Sequence, residues 1–521
     1  MQPFEDEHPV IKGTYIAEGW ELAEPAMEMG DRRALWKIKW EHLFPSQPDS
    51  WWRTEREGRL TPLHKFNNDM VFVDGTFLQS AGWLNELSDD NYYIDYENEY
   101  IYLAFDPAGK TIEITAFNQG LVITPRTVNG KEADHKGPVI RGITFTQYAF
   151  HVIDVEGKFP EEKLDESEMG KDVVGTVLEN CTISYGGRVG AFVFGDDFVM
   201  RNCKISDTST EGLYLLSSSD ALLERNIFTR NNIELIYGYY PSAVKIFNQT
   251  HRIVVNDNLV IDQPHSNGIW YDVGNVDGVF TNNWLENIGF YDRTLMRDRV
   301  YPSRNAFFFE ISSGVHVSGN VMLNNDHGMM ILNAEGAKIY NNTFVNSIMV
   351  FSRTRRGEGA DHFGWHVTIG PGVHERVNHE FVNNVMVSNK DYDRPLMYIW
   401  QLGNMCDDYP EMQLSRMEHN AYVIQNETTS PAVWMAQKMN GKCESAFSDS
   451  GSLQDASDYG TASMTLKNYR GPLFKSQELK NLELLKGFPA LGTGTAIPDY
   501  IRDIMSAELP ESYVGAYPAD Q

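Results

Sequence analysis

Down the middle of the chain an asparagine followed by a short apolar strand recurs at nearly fixed spacing, and few folds tolerate that pattern. The segments are ENCTIS at Asn180, RNCKIS at Asn202, ERNIF at Asn226, NDNLV at Asn258 and TNNWL at Asn283, then SGNVML at Asn320, YNNTFV at Asn342 and VNNVMV at Asn384. Four of the gaps are 22, 24, 25 and 22 residues, and the other three are 32, 37 and 42. One coil of a β-solenoid per repeat, with longer loops at a few turns, accounts for both sets. Each coil supplies short strands whose inward residues meet only the coils above and below. The asparagine tolerates a left-handed turn and bonds its neighbour, which builds a ladder along the stack. Helical periodicity is nearly absent here, while apolar alternation is common. A β-sandwich also has turn-bounded strands, but it does not repeat one asparagine context at one-coil spacing.

The fold expected is therefore all-β: a right-handed parallel β-helix from about Leu121 to Val423, within a domain spanning 119–425. Residues 13–118 break the repeat. VFVDGTFL, NYYIDYENEYIYLAFD and KTIEITAF alternate apolar and polar residues between acidic and Asp-Gly turns, as antiparallel strands do. They read as an accessory antiparallel, β-rich, sandwich-like module. It follows a first β-helix strand in residues 1–12, so it is an insertion into the solenoid. Residues 426–521 are rich in Ser, Asp, Gly and Pro and read as an irregular cap on an otherwise unpaired edge.

Charge narrows the partners. Lys and Arg number 44 against 72 Asp and Glu, a formal charge of −28. Such a surface repels nucleic-acid backbones and anionic membranes, and no run of 18 apolar residues offers a membrane span. Aromatic residues at 12% suit a carbohydrate partner. The four cysteines, Cys181, Cys203, Cys406 and Cys443, contain no CxxC metal motif. Cys181 and Cys203 occupy matching contexts and read as stacked apolar positions; a disulfide framework is not expected in so long a chain. The opening MQPFEDEHPV lacks the basic and apolar regions of a signal peptide. The compartment stays open: cytoplasmic if Met1 is the natural start, periplasmic or secreted if it is not. No oligomeric state is read from the pattern.

Two heptapeptides carry the candidate chemistry. Asn267-Gly-Ile-Trp-Tyr-Asp-Val273 and Asn305-Ala-Phe-Phe-Phe-Glu-Ile311 match in chemical type at every position. Strand period is two, so Ile269, Tyr271 and Val273 share one face, and Trp270 and Asp272 share the other. Likewise Phe307, Phe309 and Ile311 oppose Phe308 and Glu310. Two unpaired carboxylates inside an apolar tube would cost several kcal/mol each, so Asp272 and Glu310 are expected on the outer face. The aligned strands end in Phe194, Leu216 and Leu332, so acids occur at two levels only. The pair lies 38 residues apart (310 − 272), and removing a loop near Gly289–Arg304 brings it to one coil. Parallel strands are about 4.8 Å apart, which suits the roughly 5–5.5 Å carboxylate spacing of a retaining glycosidase. Neighbouring like charges also push the two acids toward different protonation states. The bland alternative is a solvated acid pair, against which stand the adjoining Trp270 and Phe308, expected to be exposed as a sugar surface.

Around the pair, Lys245 in AVKIF lies one coil earlier on the same face, to bind substrate or to neutralise the acids. Tyr237, Tyr239 and Tyr240 form either a sugar-stacking wall or a loop cluster. Arg293, Arg297, Arg299 and Arg304 either close over the site or remain solvated. His265 and His327 flank the two levels; His327 is a candidate substrate contact, although a lone histidine is more often structural. With no third ligand at suitable spacing, no metal and no cofactor are expected.

At these residues the chain resembles a known group. AVKIF, NGIWYDVGN, NNWLENIG, NAFFFEIS, SGNVMLNN and YNNTFVNS are similar to the β-helical glycoside hydrolases of families 120 and 141. The likeness extends to MVFVDG, IDYENEYIYLAF and the terminal VGAYP. It implies a β-helix with a sandwich-like module acting on xylosides or fucosides by retention, with Asp272 as nucleophile and Glu310 as acid/base. One departure is that such proteins carry more β-helix before the PVI strand, where this chain has eight residues. The expected function is a retaining exo-glycosidase on plant or algal oligosaccharides. The alternatives are a polysaccharide lyase using Lys245 or an arginine as base against a uronate, and a non-catalytic glycan-binding β-helix.

Overall fold

In the computed structural model the chain winds into a right-handed parallel β-helix of three sheets, with 12, 12 and 10 strands. The structure describes all residues except 5, 24–33, 45–62, 67, 237–240, 290–302, 356–369, 390, 427–429, 506–509, 511 and 518–521. The first sheet runs from Val10–Lys12 through Thr144–Tyr148 to Met464–Lys467. The second runs from Leu121–Ile123 to Val433–Met435 and closes with Ser445–Phe447, paired antiparallel. The third runs from Val139–Arg141 to Leu414–Glu418. Right-handed crossovers are the rule where parallel strands in one sheet are joined by the rest of a coil. The tube is filled by one apolar cluster, from Ile140 and Phe145 at one end to Met435 and Leu453 at the other.

Register is locked by a polar ladder inside one corner. Asn283 donates its backbone N–H and its side-chain Nδ2 to Oδ1 of Asn320, at 2.9 and 3.0 Å. Asn320 repeats the same pair of bonds to Asn342, and Asn342 to Asn384. The rungs continue through Asn420 to Ser463 in one direction and through Asn258 and Asn226 to Cys203 in the other. The amide of Cys181 then meets Cys203 Sγ at 3.3 Å. The asparagine alignment drawn from the repeat is thus one residue out at two coils. Asn180 and Asn202 have φ of 55° and 52° and share the left-handed column with Arg225, Asp257 and Asn282. Cys181 and Cys203, not those asparagines, occupy the ladder there.

The accessory module leaves the solenoid after Val10–Lys12 and returns at Leu121–Ile123. It has a five-stranded sheet and a four-stranded one, packed on Ile38, Val71, Tyr92, Ile101 and Ile114. It docks against the solenoid through Gln79 Nε2, which donates to the Ile233 carbonyl at 3.2 Å, and through Phe72, whose ring meets Tyr185. Lys65 Nζ lies 3.7 Å from Glu234 Oε2 in the same junction. The C-terminal segment does two jobs. Phe447, Leu453 and Tyr459 close the end of the core. Leu473, Phe474, Leu482, Phe488 and Val514 instead run back along the flank and cover the outward side of the first sheet at Val321, Val345, Val385 and Val423. Among the described residues no helix is long and apolar enough to cross a membrane.

Cys406 and Cys443 form a disulfide, with a Cα–Cα distance of 5.8 Å. It ties a single-turn segment at Gly403–Met405 to a later loop rather than building a framework. Cys181 and Cys203 remain free and buried.

Two stability experiments follow from these contacts. Asn320→Ala deletes a buried rung and orphans both donors of Asn283, so unfolding free energy is expected to fall by about 3–5 kcal/mol in urea titrations. Burial raises Glu234 to about 7, with Lys65 and Arg188 pulling the other way. An acid whose folded pKa lies above its unfolded value stabilises the fold by taking up a proton, and that contribution is lost as pH rises from about 4.5 to 7. The protein is therefore expected to be about 1–2 kcal/mol more stable at pH 5.5 than at pH 7.5 from this group, and Glu234→Gln should flatten that slope.

Candidate active site

Asp272 ends the strand Asn267–Asp272 and Glu310 ends Asn305–Glu310; the two strands are parallel neighbours in the second sheet. Asp272 is the direct register partner of Glu310, and Trp270 of Phe308. The 38-residue separation therefore collapses to one coil. Phe194, Leu216, Phe247 and Leu332 occupy the same register position on flanking coils. Ile269, Tyr271, Phe307 and Phe309 belong to the core, whereas Trp270 and Phe308 form a separate outer cluster with Leu332 and Met330. The acids share that outer side by alternation.

Outward does not mean exposed. Asp272 and Glu310 each retain only 6% of their accessible surface, Trp270 3% and Phe308 none. The expectation of exposed aromatics is corrected accordingly. Trp270 and Phe308 stack on each other at 4.9 Å and 18°, and Lys245 Nζ sits 3.4 Å from the centroid of the Trp270 ring. Ring neighbours thus occupy the indole along the stacking direction, which leaves its edge, not a free face, for any ligand. That edge carries Nε1, buried and without a hydrogen-bond partner among the described residues.

Lys245, in the strand Ser242–Phe247, pairs in register with Trp270. Its Nζ lies 2.9 Å from Asp272 Oδ2, and the residue is 2% exposed. Of the two roles open to it, the structure shows the ion pair with the acid. A carboxylate this enclosed needs such a partner, since a lone buried charge costs several kcal/mol.

The residues following the acids were misplaced by strict alternation. Val273 and Ile311 lie beyond the strand ends, with φ of 57° and 47°. Their side chains leave the core and join Phe194, Tyr214, Leu216, Phe247 and Val373 on the outer face. Period two holds only while the strand lasts. Left-handed φ at a β-branched residue is rare and costs roughly 1–3 kcal/mol. The signal was present in the aligned positions, which carry Ser217, Asn248 and Asn333, residue types suited to a turn.

His327 begins the strand His327–Leu332 in register with Asn305, and its Nδ1 contacts Asn305 Oδ1 at 2.9 Å. Asn305 in turn donates to Asn267 Oδ1, so these residues form a second ladder. Burial lowers the His327 pKa well below its usual value, which leaves the ring neutral. His265 is buried too, its carbonyl accepting from Asn232 Nδ2. Arg304 lies 3.8 Å from Asp326. Tyr237, Tyr239 and Tyr240, and Arg293, Arg297 and Arg299, lie outside the described residues. Among the described residues no group of three His, Cys, Asp or Glu is placed to hold a metal ion.

Comparison with known proteins adds to the fold. Residues 169–344 match the model of the right-handed beta helix region. No curated protein matched by sequence. Among solved structures, the complex of XylC with xylose is similar at 12% identity and a TM-score of 0.46, covering 83% of this chain and 76% of that one. Pectate lyase Pel9A is similar at 14% and 0.33, covering 77% and 87%. The catalytic domain of a GH87 α-1,3-glucanase with tetrasaccharides is similar at 11% and 0.29, covering 81% and 97%. At such identities the likeness is one of fold alone.

The ion pair makes a test independent of substrate. Lys245→Met strands a buried carboxylate and is expected to cost about 3 kcal/mol. Adding Asp272→Asn should recover part of that loss, and the double-mutant cycle measured by chemical unfolding gives the coupling.

Proposed function

We propose that this protein is a retaining glycoside hydrolase with Asp272 as nucleophile and Glu310 as acid/base. The observation that carries the reading is the direct register of the two acids on the outer side of one sheet. Adjacent parallel strands put such a pair about 5 Å apart, too close for a water to attack between them and suited to a glycosyl-enzyme intermediate. Asp272, oriented by Lys245, attacks the anomeric carbon while Glu310 protonates the leaving oxygen. Glu310 then removes a proton from water, which displaces Asp272 with a second inversion. The low exposure of both acids favours an enclosed pocket for a chain end over an open cleft. The substrates are plant or algal oligosaccharides, with xylosides and fucosides tested first. The disulfide is of a kind that persists in oxidising compartments, which agrees with action outside the cytoplasm.

A lyase using Lys245 as its base would need that lysine to accept a proton. Its ammonium form is engaged by Asp272 and by the Trp270 ring, which disfavours that role.

The test is a screen of aryl glycosides with the product anomer followed by proton NMR. Asp272→Asn and Glu310→Gln are expected to fold, the first with some loss of stability because Lys245 loses its carboxylate partner, and to lose turnover by about 10³-fold or more on substrates with poor leaving groups. An inverted anomer, an ultraviolet-absorbing unsaturated product, or sugar binding without turnover would each sink the proposal.

A further inference from the structure

Ser217, Asn248, Val273, Ile311 and Asn333 follow successive register partners, Leu216, Phe247, Asp272, Glu310 and Leu332. All five are left-handed, with φ of 45°, 61°, 57°, 47° and 49°. Three are residue types that such a turn accepts. The two β-branched residues, which resist it most, stand at the two acid levels.

The tube does not require them. Neither side chain enters the core; both lie in the outer cluster with Leu216, Phe247 and Val373. On the other side of the acids stands the cluster of Trp270, Phe308 and Leu332. Phe247 and Leu332 are also the register partners of Asp272 and Glu310, one coil before and one after. The carboxylates are thus bracketed by apolar side chains along the strand and along the stack. The turn also fixes the backbone of the acids. Asn248 N–H donates to the Asp272 carbonyl at 3.1 Å, Val273 N–H to the Glu310 carbonyl at 3.2 Å, and Ile311 N–H to the Leu332 carbonyl at 3.1 Å.

We propose that Val273 and Ile311 are positioning residues. They accept a disfavoured backbone conformation so that their side chains wall off water and hold the Asp272 and Glu310 carboxyl groups facing each other. The consequence for turnover rests on the glycosidase reading; the consequence for the carboxyl groups does not.

The variants are Val273→Asn and Ile311→Asn, which insert the residue already used by neighbouring coils at 248 and 333. Because Asn suits the turn, both are expected to fold, with a melting temperature within a few degrees of the parent. On an aryl glycoside cleaved by the wild type, kcat should fall about 10- to 100-fold with KM changed less than about threefold. The pH profile of kcat/KM should also be displaced. Ile311→Val, which keeps the branched side chain, should lose far less, and Ser217→Asn, on a coil without an acid, should match the wild type. The second measurement needs no substrate. Carbodiimide coupling of glycine ethyl ester, read by peptide mass spectrometry, should label Asp272 and Glu310 several-fold faster in both Asn variants. Unchanged labelling in folded variants overturns the proposal, because a wall that merely fills space would leave the carboxyl groups as they were. If the wild type cleaves no aryl glycoside, the glycosidase reading fails on that result while the labelling still decides this one.

Discussion

The corner ladder of side-chain amides sets the register on which everything else depends. Each rung consumes a backbone N–H and a side-chain amide from one coil and satisfies both on the next, as Asn283 does on Asn320. A slip of one residue would break every rung and turn each strand's apolar set outward. That shared penalty lets loops of very different length enter between rungs without disturbing the strands. It also puts Asp272 and Glu310 level with each other across an insertion that in sequence keeps them far apart. Precision at the site is therefore inherited from a corner that takes no part in its chemistry.

Much of this was legible in the sequence because a solenoid repeats its physics. The parallel β-helix follows from spacing and alternation, and the strand order agrees with it; Asp272 and Glu310 stand in direct register on adjacent strands. What was lost lies where periodicity stops. Alternation carried one residue past the strand end turns Val273 and Ile311 inward, where the left-handed turn sends them out. Asparagine serves both the left-handed column and the ladder beside it, so its repeat alone does not separate Asn180 and Asn202 from the rungs. The contact of His327 with Asn305 on the coil before it is likewise invisible along one strand.

Burial of the aromatic residues is the larger lesson. Trp270 and Phe308 alternate with core residues, so solvent exposure was the natural reading. An outer sheet face on a solenoid is not solvent by default: flanking chain covers the first sheet at Val345 and Val385, and Val373 joins the outer cluster of the second. Enclosure changes what the acids need. In water a neighbouring lysine would be a weak ornament, worth little after screening. At 2% exposure, over an indole ring and 2.9 Å from Asp272, the same lysine is a partner that the enclosed acid cannot lose cheaply.

Enclosure and strain then become two aspects of one arrangement. A chain selected only for stability would place asparagine or glycine after every strand of the second sheet, as Asn248 and Asn333 show it can. At the two acid levels it places Val273 and Ile311 instead, and their side chains go to the outer cluster rather than the core. Local rules are broken twice, at adjacent coils, beside the only two acids in that register column from Phe194 to Leu332. Sites where sequence and conformation disagree are where function is expected to hold the structure away from its most stable form. A single exception could be an accident of packing; two in register, each following a carboxylate, point to the carboxylates as the reason.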